Sequence, residues 1–162
     1  MIAKLRCVGG DQGSSVVETS LASLVFLAML IGAYQAMLGL YTFHFVSDAA
    51  REASRYAAVR GSTSCTNTPN LTNCDATSSQ IQTYVQGLGY PGIQKSKLTV
   101  TTTWLKSGGS TPATWSSCTS GTCNAPGNMA KVVATYAFPL KVPFARGLTI
   151  NLSSTSEMVI SQ

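Results

Sequence analysis

Residues 19–47 read TSLASLVFLAMLIGAYQAMLGLYTFHFVS, a stretch without Lys, Arg, Asp or Glu. Its apolar run opens at Leu21 and reaches Val46, interrupted only by mild residues such as Ser23, Gln35, Thr42 and His44. About 20 apolar residues cross a bilayer, whereas the apolar part of a cleaved secretory signal is about 7–15 residues long. The stretch is therefore expected to be a membrane anchor. No proline occurs before Pro69, so nothing obliges the helix to stop where the bilayer does. Residues 47–60 continue it, rich in Ala, with Asp48 and Arg51, and Glu52 and Arg55, at helical spacing. Gly61 is a natural terminator. One helix from about Ser14 to Arg60 would be roughly 70 Å long, its inner half in lipid and its outer half projecting. Ala28, Gly32 and Ala36 form a small-residue stripe along it. Such a stripe lets a second helix approach closely, although glycine and alanine are common in membrane helices in any case.

Working outward, residues 1–13 form a short leader with Lys4 and Arg6, like the charged start of an export signal. Arg51, Arg55 and Arg60 stand on the other side of the span, so the positive-inside count is near a tie. The cysteines break it. Cys7 lies in the leader, while Cys65, Cys74, Cys118 and Cys123 lie beyond the anchor. Four cysteines in two local pairs fit disulfides in an oxidising compartment. Three connectivities are possible, and proximity favours Cys65–Cys74 and Cys118–Cys123. A four-cysteine zinc site is the rival, but zinc knuckles place about two to four residues between paired ligands, fewer than separate Cys65 from Cys74. The formal charge of +5 rests, beyond Gly61, on scattered residues without interleaved aromatics, so no nucleic-acid partner is expected.

The division is thus residues 1–13 as leader, 14–60 as a transmembrane helix continuing into a juxtamembrane helix, and 61–162 as an exported α+β domain. Within the last, Thr77-Ser78-Ser79-Gln80 reads as a capping box, followed by Ile81, Tyr84, Val85 and Leu88 at helical spacing. Gly87, Gly89 and Pro91 end that short helix. Three strands follow. Leu98 to Trp104 alternate along the first, Ala130 to Phe138 along the second, and Leu148 to Ile160 along the third. The Ser/Gly-rich segment 106–128 joins the first two. A three-stranded antiparallel meander needs cover on one face, which the two helices can supply.

Catalysis needs convergent titratable groups, and these are scarce. His44 is the lone histidine, near the outer end of the apolar run, and Asp75 and Glu157 are the only carboxylates beyond Gly61. There is no phosphate-cradling glycine loop and no metal-ligand spacing. An enzyme is not expected, nor a cofactor or resident metal.

The informative short pattern is Gly13-Ser14-Ser15-Val16-Val17-Glu18, set between leader and anchor. An acidic residue at the mouth of a membrane helix is costly and usually functional. Here the sequence resembles a type IV pilin-like signal, with glycine before the cleavage point and glutamate fifth after it. Ala49-Ala50-Arg51-Glu52-Ala53-Ser54-Arg55-Tyr56-Ala57 is similar to the AAREGARYA-like run of the TadE-like family of tight-adherence (Flp) pilus proteins. Two departures stand out: Thr19 where the family generally has an aromatic residue, and Ala53-Ser54 for Gly-Ala. The resemblance implies a minor pilin or pseudopilin of the bacterial cytoplasmic (inner) membrane, its carboxyl-terminal domain periplasmic or extracellular. It also implies cleavage by a prepilin peptidase between Gly13 and Ser14, and assembly with other pilin-like subunits and pilus assembly proteins through Glu18. The alternative is a membrane-tethered extracytoplasmic adhesin or binding module, which would engage a ligand through a face such as that around Trp104 and Trp115.

Overall fold

A computed structural model describes residues 12–109, 114–142 and 145–161. Helix α1 spans Gln12–Val59 without a break, 48 residues and about 72 Å at 1.5 Å per residue. The last carbonyls of a helix lack partners within it, and here distant segments provide them. Ala58 O accepts from Ser161 N at 3.1 Å, and Arg60 O accepts from Ala76 N at 3.0 Å. The far end of the chain therefore caps the helix that begins it.

After a single turn, α2 (Ser64–Asn67), comes α3 (Ser78–Gly87). The capping box forms as the sequence predicts: Thr77 Oγ1 accepts from Gln80 N at 3.4 Å, and Thr77 N donates to Gln80 Oε1 at 2.9 Å. Ile81 and Val85 bury one face of α3. Gly89, at φ +66°, supplies the left-handed residue that turns the chain away.

The sheet contains β1 (Leu98–Ser107), β2 (Trp115–Ser117), β3 (Met129–Val142) and β4 (Ala145–Val159), all antiparallel, in the order β2-β1-β3-β4. The fold is α+β with the expected meander, but the sheet has four strands rather than three. The extra one, β2, folds back on the end of β1 with Ser107 opposite Trp115 and Leu105 opposite Ser117. Three residues with one apolar side chain carry no alternation for a sequence to display. Backbone pairing alone defines this strand.

One face of the sheet lies under α1. Phe45, Val46, Ala49, Ala50, Ala53 and Ala57 of the helix pack on Ala130, Val132, Ala134, Tyr136 and Phe138 of β3 in a single core. The other face is exposed and Thr/Ser-rich, with Thr99, Thr101, Thr103, Ser153 and Thr155. It carries the one ion pair among the described residues, Lys131–Glu157 at 2.9 Å. The helical pairs suggested by Asp48/Arg51 and Glu52/Arg55 do not form. Helix α3 seals the edge of β1: Thr102 N donates to Ser78 Oγ at 3.3 Å, and Gln86 Nε2 donates to Leu98 O at 3.1 Å.

The structure pairs Cys65 with Cys74 and Cys118 with Cys123, with Cα separations of 5.3 and 5.5 Å. Both loops meet at the apex beyond the end of α1, where Ser62 N donates to Asn124 O at 3.0 Å and the Asn124 amide bonds the Asp75 carboxylate. Cys7 lies outside the described residues.

Candidate assembly site

The inner half of α1 is bare. It is long and apolar enough to cross a membrane, and none of its most apolar window is covered by the rest of the chain. This fits a single-pass anchor. Gly13 and Ser14 lie in the first turn and Glu18 about one turn further on, all exposed. Glycine is a poorer helix former than alanine by about 0.8–1 kcal/mol, so Gly13 adds little to the stability of this turn. Thr19, at the position where the resemblance leads one to expect an aromatic ring, returns its hydroxyl to Ser15 O at 2.8 Å. That bond satisfies the hydroxyl inside apolar surroundings. Ala28, Gly32 and Ala36 are exposed and lie within an arc of about 80° at 100° per residue. A Cβ placed on Gly32 would meet nothing within 4 Å. The stripe is unpartnered among the described residues.

The Ala49–Ala57 run has two faces with different work. Ala49, Ala50, Ala53 and Ala57 are fully buried against the sheet, and their small size lets strand backbones approach the helix closely. Ser54, also fully buried, donates its hydroxyl to Arg51 O at 2.8 Å and accepts from Ser156 Oγ at 2.8 Å. The departure from Gly-Ala is thereby matched by a hydroxyl on β4. Tyr56 is held between two groups: Tyr84 stacks on it at 4.0 Å, and the Arg60 guanidinium lies 4.0 Å from its ring centre. Arg60 Nε is fixed in turn by Thr72 O at 3.2 Å. Arg51 and Arg55 project outward, away from the core. The fold uses the alanines and the tyrosine, and leaves those two arginines free of ion pairs among the described residues.

The upper part of the apolar run is not lipid-facing all round. Thr42, Phe45 and Val46 turn into the domain core, while His44 is exposed beside Phe43. Tyr90 packs edge-on against Phe45 at 4.4 Å. Burial first, and then the Asp48 and Glu52 carboxylates, push its phenol above the ordinary range. Trp104 packs against the core, and Trp115 is half-buried on β2. An open cleft of about 520 Å³ lies between α1 and α3, lined by Tyr56, Asn73, Gln80, Thr83 and Tyr84. Neither tryptophan borders it.

The chain is thus a long apolar helix, fit for a single-pass anchor, that continues into a disulfide-bonded α+β domain. The family model of TadE-like proteins matches residues 13–55, which covers the Gly13–Glu18 pattern, the span and the first part of the alanine run. Over that segment the chain is similar to TadE-like proteins. No curated protein and no solved structure matches the chain.

Proposed function

We propose that this protein is a minor pilin or pseudopilin of tight-adherence pilus assembly, anchored in the bacterial inner membrane with its disulfide-bonded domain outside the cytoplasm. The TadE-like match over the anchor supports a pilus-related role, and one structural observation carries the finer reading. The inner half of α1 has no partner among the described residues, yet holds the acidic Glu18 and a small-residue stripe. A simple tether needs neither. A helix meant to join other helices uses both, the stripe for close approach and the carboxylate for a charged partner. The proposed partners are other pilin-like subunits, after a prepilin peptidase has removed the leader.

Replacing residues 14–34 with an unrelated apolar helix of the same length tests this against the adhesin reading. The expected product is still anchored and folded but no longer crosslinks to pilin-like subunits in pilus-bearing cells. Unchanged crosslinking would mean that the span is only a tether.

A further inference from the structure

The lower end of β4 leaves apolar side chains uncovered on the side of the sheet that α1 otherwise covers. Cross-strand partners point to the same side, so Ile150, opposite Phe138, and Leu148, opposite Leu140, face the α1 layer. Yet Leu148 is 49% and Ile150 47% exposed. The cause is an oblique crossing. At the membrane-distal end α1 lies over β4, where the Ser54 and Ser156 hydroxyls meet at 2.8 Å. Toward the membrane it drifts over β3, where Lys141 N donates to Gln35 Oε1 at 3.5 Å. The cleft of about 290 Å³ at that level is lined by α1, residues 91–94 and β3, with no β4 residue among its walls. Further along the same face of β4, Ser154 and Ser156 replace the aliphatic residues.

Helix α1 sets the height of this patch independently. On its outward side Met37 is 71% and Leu40 63% exposed, Phe43 is exposed as well, and the first charged residue is Asp48. The 30 residues from Ser14 to Phe43 rise about 44 Å, which matches the roughly 40–45 Å of a bilayer with its interfacial layers. A boundary at Gln35 would leave Met37, Leu40 and Phe43 in water. The interfacial layer therefore reaches the level at which Phe138 and Lys141 already pack on the helix. Tyr34 and Tyr41, both exposed, stand within it, as aromatic residues do at bilayer interfaces.

We infer that the lower end of the β3–β4 pair is seated in the interfacial layer of the bilayer, with Leu148 and Ile150 covered by lipid. The patch lies at the height of the upper apolar surface of α1, so one lipid surface reaches both. The domain is thereby held at a fixed height and tilt on its helix. This inference needs only the membrane span and stands apart from the pilus reading.

Full-length protein in vesicles with chain-brominated lipid tests it, since bromine quenches tryptophan that touches acyl chains. Ile150→Trp is expected to lose most of its added emission, and Leu148→Trp, a second half-exposed position, likewise. Ser154→Trp, about 13 Å further along the strand, is expected to keep its emission. Trp104 and Trp115, at the distal end of the sheet, give a constant background. Unquenched emission at both 148 and 150, whether from water or from cover by a second copy, would overturn the inference, as would equal quenching at 154.

Discussion

Glu18→Ala is expected to insert, to be cut after Gly13 and to fold its outer domain, yet to lose nearly all association with pilin-like subunits. After cleavage Glu18 stands about 6 Å along the axis from the new amino terminus. A carboxylate at the middle of a membrane helix costs about 2.5–3.5 kcal/mol on insertion scales, and less near the interface. The helix-end dipole offsets about 0.3–1 kcal/mol of that. Among the described residues nothing offsets the rest, for Glu18 has no ion-pair partner there. A neighbouring subunit's α-amino group would supply it as a charge-assisted pair, which makes the residue costly alone and favourable in an assembly. Co-purification of Glu18→Ala with pilin-like subunits measures this. Normal recovery would show that the carboxylate only reaches headgroup water.

The second large effect is expected at Ala53, in the other half of the helix. It is fully buried where α1 meets the sheet. Leucine there adds three carbons to a contact made close by alanines at 49, 50, 53 and 57. Overpacking a core in this way costs about 1–3 kcal/mol. For a domain of this size each kcal/mol moves the melting temperature by about 4–8 °C. Ala53→Leu should therefore melt its sheet 10 °C or more earlier, at about the upper half of that range, while the exposed Arg51→Leu should stay within about 0.5 kcal/mol of wild type. Thermal unfolding of the full chain, followed by circular dichroism, checks both. An unchanged melt for Ala53→Leu would mean that the alanine run is not what seats the helix.

The parts of the fold legible in sequence are those with a period. The anchor, the Thr77–Gln80 box and the alternating strands β1, β3 and β4 each repeat a local pattern that one element imposes on its own residues. Strand β2 was not legible, because Trp115-Ser116-Ser117 is defined by its partner rather than by its own side chains. Hydropathy also merged two environments. Leu24 and Phe26 are exposed for lipid, whereas Phe45 and Val46 are equally apolar but buried against the sheet. Only the tertiary structure divides them. The Ser54–Ser156 bond joins residues 102 apart in sequence, and a serine in an alanine run gives no hint of its partner. Of the candidate site, the alanines and Tyr56 found their roles in packing. The inner-half residues find no packing role among the described residues, and their proposed role lies in contacts that a single chain cannot display.

If the anchor is a processed pilin-like helix, as proposed, the mature amino terminus will show it. Mass spectrometry of the chain expressed with a prepilin peptidase should find Ser14 as the first residue, with Lys4 and Arg6 gone. A mature protein that retains those two residues in the presence of the active peptidase would rule out a processed pilin-like anchor.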